Sequence, residues 1–395
     1  MDASDFFHPT GEASVKTASS CDAVVLGLGG VGSAAAWKLA ARGLRVIGVD
    51  RFTPPHDQGS SHGQTRIIRQ AYFEHPDYVP LCQRAYTLWA ALEEPLGERL
   101  FERTGLIEAG PADGVVVQGV LHAAAEHGLP VERFTAAEAR SRWPQFHVPD
   151  ELAVVHEPTG GMLYVERCVQ ACLDAARLAG ADLRRGVTAR GWRSEPGGVV
   201  LETDQGEVSA DRLVVAAGPW AGGLLGELGV PLEVRRKSLF WFDAPADGVS
   251  KNHSPDAMPP FLFELPDGVY YGFPSVEPWG VKVGDHAAGK PLARPEDVDR
   301  SIDRAEQQAV ERFVETHLPS LKRPAHHHAT CFYTMTPDEH FVVDRLPSDE
   351  RICMAAGMSG HGYKFTPVLG EALADLAIDG ETTLPIGFLA ASRFA

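Results

Sequence analysis

The chain lacks cysteines paired at metal or redox spacing, apolar runs long enough to cross a membrane, and any excess of basic residues. Its six cysteines are irregularly spaced, with no CxxC pair. That excludes a disulfide framework and a zinc ribbon, and it points to a reducing compartment. The longest apolar stretches fall well short of about 20 residues, and the opening segment has no apolar core of a secretory signal. Against 36 Lys and Arg stand 53 Asp and Glu, a formal net charge of −17. Phosphate backbones and anionic lipids select basic surfaces, so neither nucleic acid nor membrane is expected as a partner. There is no internal repeat and no low-complexity tract, which removes solenoids and disordered arrays. No metal site is expected. The run His326, His327, His328 invites that reading, but neighbouring residues on a strand point to opposite faces, and a partly buried edge is expected instead.

What is present is a 395-residue chain with 44% hydrophobic and 23% charged residues. Such a chain can bury a sizeable core as two domains or one elaborated α/β domain, and it reads as cytoplasmic. The first 20 residues read as a polar flexible leader.

The stretch CDAVVLGLGGVGSAAAWKLAARGLRVIGVD, residues 21–50, organises the rest. Residues 23–26 read as a buried parallel strand, 33–42 as a helix stopped by Gly43, and 46–49 as a second strand closing on Asp50. Gly27, Gly29 and Gly32 sit between them at GxGxxG spacing. The first glycine permits the tight turn, the second lets a pyrophosphate approach the backbone, and the third lets helix and strand pack closely. The helix N-terminus offers unpaired N–H groups to phosphates, and Asp50 is placed to accept from a ribose diol. The whole unit predicts a bound dinucleotide.

Downstream, Pro54, Pro55, Gly59, Ser60, Ser61 and Gly63 make an irregular loop carrying Arg66 and Arg69, which share a face if the segment is helical. A helix is expected over 79–96, another over 115–127 and a third over 165–179. Residues 199–203 and 207–209 read as a hairpin, and 212–217 as a further buried strand. That strand closes on Gly218, Pro219 and Trp220, either a second nucleotide contact or a simple turn. From 231 to 328 the chain is strand-rich and aromatic, which reads as an antiparallel sheet with one face on the core and one lining a cavity. A polar helix is expected over 295–318. Residues 331–334 read as a strand with Cys331 and Tyr333 on one side. A strand over 352–356 leads to a tight loop with Gly357, Gly360, His361, Gly362, Tyr363 and Lys364, then a helix capped by Thr366 with Pro367 at its first position and stopped by Gly380. Basic residues at that helix start suit a planar, anionic ring system.

The motifs GLGGVG, GSSHGQTRIIR, GVKVGDH, CFYTMTPDEHF and GMSGHGYKF, in that order, resemble the monomeric sarcosine oxidase and N-methyltryptophan oxidase family, amine oxidases of the D-amino-acid-oxidase-like flavoprotein group. The resemblance implies an α/β fold in which a Rossmann-type FAD-binding domain is interleaved with an antiparallel-sheet catalytic domain. It divides the chain into 21–104, 158–230 and 330–395 for FAD, and 105–157 and 231–329 for catalysis. It implies FAD bonded through Cys331, with Gly27, Gly29, Gly32, Asp50, Gly360 and Lys364 also at the cofactor. Arg69 and Lys364 then clamp a substrate carboxylate, while Tyr271, Tyr333, His286 and Leu262 line the substrate cavity. Lys282 would activate dioxygen, and His62 and Arg66 would lie near the isoalloxazine. Leu262 and Phe332 stand where sarcosine oxidase has methionines. The implied reaction is oxidation of a secondary or related amino acid with release of hydrogen peroxide, or alternatively oxidation of a cyclic imino acid of the pipecolate or piperideine-carboxylate type. A monomer is expected.

Overall fold

A computed structural model describes residues 19–225, 229–245, 253–287 and 289–394. The expected leader lies outside them apart from its last two residues, which begin the first strand. Strand Ser19–Leu26, helix Gly30–Ala41 and strand Val46–Asp50 follow one another as the glycine spacing predicts. The glycines are required by contact. Gly27 has φ +90°, and a Cβ on Gly32 would stand 1.7 Å from the Gly27 carbonyl oxygen. Helix and strand therefore touch backbone to backbone at this turn.

Among the described residues the eight-stranded sheet runs in the order Ala189–Glu195, Gly198–Thr203, Gly206–Val215, Ser19–Leu26, Val46–Asp50 and Asp182–Arg185, with Asp349–Ala356 also on Gly206–Val215 and Val342–Leu346 on Asp349–Ala356. Its centre is parallel. Alternation along the strands divides the core in two. Ala23 and Val25 face the helix side with Cys353 and Ala355, whereas Val24 and Leu26 face the other side with Ile352 and Met354. On the helix side, Thr366–Ile378 lies so close to Gly30–Ala41 that a Cβ on Gly370 would be 2.6 Å from the Ala34 backbone.

A nine-stranded sheet takes in Leu106–Pro111, Leu152–Glu157, Glu233–Phe242, Phe261–Leu265, Gly268–Val276, Gly280–Asp285 and His327–Met335 among its members. One face packs Phe240, Phe261, Phe263 and Tyr270 against helix Arg304–His317, where Phe313 stacks on Tyr270 with ring centres 4.5 Å apart. Burying each such ring is worth roughly 1.5–3 kcal/mol. The other face carries Leu239, Trp241 and Cys331, and this face walls the site described below.

Several elements differ from expectation. Residues Thr65–Ile68 form a strand paired with Gly161–Tyr164, not a helix, so Arg66 and Arg69 do not share a face by helical period. The hairpin arm and the buried strand expected separately are one strand, Gly206–Val215. The aromatic sheet is not wholly antiparallel: Phe261–Leu265 runs parallel to Leu106–Pro111. The polar helix begins only at Arg304, because Asp303 accepts from the N–H groups of Ala305 and Glu306 and caps it. Thr366 is not an N-cap but the first helical residue, and its hydroxyl donates to the Tyr363 carbonyl. The domain boundary expected at 329/330 falls inside strand His327–Met335. A short helix, Ala136–Arg142, went unread although Thr135 and Glu138 close a capping box. Of the three adjacent histidines, His327 stacks on Trp279, His328 contacts the Arg300 carbonyl and His326 faces Asp243.

Candidate active site

Two cavities meet between the sheets. The larger, about 760 Å³, runs from the glycine loop and Asp50 to Cys331 and Gly360. Asp50 holds its near end together: Oδ2 accepts from the Leu28 N–H at 2.7 Å and Oδ1 from the Phe52 N–H at 2.8 Å. Both oxygens keep a lone pair for a further donor. The N-cap of helix Gly30–Ala41 is Gly29, without a side chain to cap it, Ser61 Oγ accepts from the Gly30 N–H at 3.1 Å, and no acid stands in the first turn, so the N-terminus presents positive potential to the cleft. At the far end Cys331 is buried and its Sγ lies 3.5 Å from the Ser60 carbonyl oxygen. Arg66 donates to the same carbonyl at 2.9 Å and reaches Cys331 Sγ at 3.4 Å. The other five cysteines do not line the cleft, and burial pushes the Cys21 thiol up to about 11 and those of Cys172 and Cys353 to about 12.

The smaller cavity, about 70 Å³, is lined by all six side chains expected around the substrate: Arg69, Lys364, Tyr271, Tyr333, His286 and Leu262. It shares Arg66, Tyr333, Gly360 and Tyr363 with the larger cleft. Lys364 is buried, and its Nζ donates to the His361 carbonyl at 2.8 Å and the Tyr72 hydroxyl at 3.2 Å. Burial, then the Arg69 charge, takes its ammonium down to about 8. Burial first, then the Lys237 charge, brings His286 to about 3, so the imidazole beside Tyr333 (3.1 Å) is neutral at pH 7. Burial raises the Tyr271 phenol to about 12. The cavity thus offers neutral hydrogen-bonding groups together with three cations, Arg66, Arg69 and Lys364, and the carboxyl of Glu74.

Of the three residues expected at the reacting atoms, Arg66 lines both cavities, while His62 and Lys282 line neither. Lys282 Nζ donates to the carbonyls of Thr65 (2.6 Å) and Gly63 (2.8 Å) and lies 4.1 Å from the centre of the Phe273 ring, which does line the small cavity. Burial first, then Arg66, pushes its ammonium well below the ordinary lysine range. His62 is buried with Nε2 unpartnered, and burial, then Arg66, holds it neutral with a value of about 3.

One participant gave no signal in the sequence. Glu74 takes the Arg69 guanidinium, with NH2 to its two carboxylate oxygens at 2.7 and 2.6 Å. Burial, the largest single effect, raises this carboxyl, but the Arg69 charge, His361, Lys364 and the hydrogen bond from Arg69 together outweigh it and hold Glu74 at about 2. An acid five residues after an arginine is ordinary in any loop, and only folding shows that the two pair.

A family model described as FAD dependent oxidoreductase matches residues 22–376. The chain is 39% identical over 378 residues to a monomeric sarcosine oxidase of Streptomyces avermitilis, covering 95% of this chain and 98% of that one. It is 37% identical over 376 residues to an N-methyl-L-tryptophan oxidase of Yersinia pestis, covering 94% and 99%. Among solved structures it resembles NikD, an unusual amino acid oxidase essential for nikkomycin biosynthesis, with a TM-score of 0.83 at 26% identity over 94% of this chain and 97% of that one.

Proposed function

The chain belongs to the FAD-dependent oxidoreductase family, and from that premise we propose that it oxidises a secondary, N-methyl or closely related amino acid at the carbon–nitrogen bond. One observation carries this reading: six side chains suited to hold an amino acid converge on one cavity that opens onto the cleft for the dinucleotide. The cleft suits FAD in its donors. Gly29 and the helix N-terminus would bring backbone N–H groups to the phosphates, Gly27 and Gly32 let the strand and helix close up beneath them, and Asp50 would face the ribose. Bound there, FAD would supply the two-electron acceptor for oxidation of the carbon–nitrogen bond to an imine, with dioxygen as the final oxidant and hydrogen peroxide as its product.

The chain's own residues do the rest. Arg69 and Lys364 take the carboxylate, the first as a fork and the second as a point charge. Because Glu74 fills the acceptor position at Arg69, it must give way when a substrate carboxylate docks. Leu262, Tyr271, Tyr333 and the neutral His286 enclose the amine and keep water out. Cys331 tethers the flavin; its Cys331→Ser variant should release all yellow colour on acid precipitation, while the wild type should retain it on the polypeptide. Lys282 serves dioxygen from behind Phe273. Among the described residues no helix is long and apolar enough to cross a membrane, and the six free cysteines accord with a monomer in a reducing cytoplasm.

The test is anaerobic bleaching of the flavin over N-methyl, cyclic and ordinary amino acids of both hands. Bleaching by a carboxylate-bearing amine and not by its amide is expected; a flavin that no amino acid reduces would end the proposal.

A further inference from the structure

Beside the Nε of Arg69 stands a second carboxyl that no part of the reading above uses. Glu108 lies buried on strand Leu106–Pro111. Register fixes where it points. Glu108 pairs across to Leu262, and Leu262 to Tyr271, so the three stand in one row on one face of the sheet. Leu262 and Tyr271 line the substrate cavity, whereas Ile107 and Ala109, on either side of Glu108, point into the opposite core.

Neither oxygen of Glu108 has a hydrogen-bond partner. Its Oε1 lies 3.7 Å from Arg69 Nε. Elsewhere on that guanidinium, NH1 donates to the Ala71 carbonyl at 3.1 Å and NH2 to both oxygens of Glu74. A buried carboxyl without a partner is costly, and it faces the unbonded edge of a buried guanidinium. A movement of about 0.8 Å would close the gap to the usual 2.9 Å. The other charged groups nearest it are Glu157, Glu74 and Lys364. Glu157 accepts from the N–H groups of Gln70 and Ala71 and from Thr159, and Lys364 donates to Tyr72 and His361, so neither is directed at Glu108.

We propose that Glu108 is a positioning residue for carboxylate capture: it takes hold of the Nε edge of Arg69 as Glu74 releases NH2, so that the guanidinium keeps its aim at the incoming carboxylate. The inference rests on the Arg69 clamp of the proposed function. Burial raises the Glu108 carboxyl to about 8, so at neutral pH it is largely an uncharged acid that accepts through one oxygen, and glutamine is its close mimic.

The experiment uses holoenzyme and two ligands, propionate and propionamide, followed by the change each makes in the flavin absorbance. Glu108→Leu should weaken propionate about tenfold, the worth of one charge-assisted hydrogen bond, and leave propionamide unchanged. Glu108→Gln should restore propionate binding. With the amine substrate, Glu108→Leu should raise KM while kcat holds. Equal losses for both ligands, or no loss for propionate, would overturn the inference and leave the clamp standing. If propionate does not perturb the wild-type flavin at all, the clamp itself is wrong and Glu108 falls with it.

Discussion

The large cleft proposed for the dinucleotide and the small cavity proposed for the substrate share four residues and are built in opposite ways. The near end of the cleft is backbone: a turn at positive φ, a helix N-terminus with glycine as its cap, and an aspartate bonded to two main-chain N–H groups. The cavity is side chain, brought from the loop after Thr65–Ile68, three strands of the second sheet and the glycine loop before the last helix. In the cleft, position is enforced by contact, and nothing there can move without collision. In the cavity, position is set by a charge balance among buried groups, and such partners can be exchanged. A rigid cofactor seat beside an adjustable substrate seat is what the two constructions provide.

The sharpest way to break the contrast is at the cleft. Gly32→Ala places a methyl 1.7 Å from a carbonyl oxygen, so the variant should yield no flavin-loaded protein, judged by soluble yield and flavin content. Normal loading would mean the turn is softer than its geometry.

Next in size is Lys282→Met. A unit charge about 4 Å away at an effective dielectric near 20 is worth roughly 4 kcal/mol, or about a thousandfold in rate. Burial of the lysine makes that an upper figure. Reoxidation of reduced flavin should slow by up to that factor and anaerobic reduction far less. Equal slowing of both would remove Lys282 from the oxygen step.

At the cavity, Arg69→Ala should raise KM about a hundredfold, the worth of two charge-assisted hydrogen bonds, with reoxidation of pre-reduced flavin unchanged. Unaltered affinity would place the carboxylate elsewhere.

The smallest effect belongs to Glu74→Gln. Removing the competing anion should tighten carboxylate binding about fivefold, within the range of a modest coupling. The same variant reports through stability. Glu74 is held at about 2 against an ordinary value of 4.5, so its contribution is present above the ordinary value and is lost as pH falls through 2. The difference in Tm between wild type and Glu74→Gln should therefore shrink between pH 4.5 and pH 2. A constant difference would show that the ion pair does not form.

The same division separates what could be read in one dimension from what could not. The helix Val115–His127 and the helix Tyr78–Leu96, with Leu81, Ala85, Leu88, Trp89 and Leu92 inward, follow from apolar period and end-glycines. In the sequence, whether Arg66 and Arg69 share a face stays conditional on a helix, and the strand Thr65–Ile68 goes unread, because four residues carry too little period to tell a strand from one helical turn. Thr366 looked like a cap because its hydroxyl has the right chemistry, yet a preceding 3₁₀ turn, Tyr363–Phe365, supplies the entry instead.

By itself the sequence determined the strand–turn–helix–strand at the near end of the cleft, since within its thirty contiguous residues local spacing dictates the conformation. The rest of the cleft's lining comes from later in the chain, Ser60, Ser61, Ala216, Cys331 and Gly360 among it. The family motifs pointed to the cavity's residues by resemblance alone. Tertiary structure alone decided that Glu74 and Glu108 both face Arg69, and that Lys282 is tied to the carbonyls of Gly63 and Thr65. The physical reason is range. Backbone conformation depends on the next few residues, whereas the state of a buried charge depends on whatever the fold brings within about 4 Å of it, and in this chain those partners are up to 292 positions away.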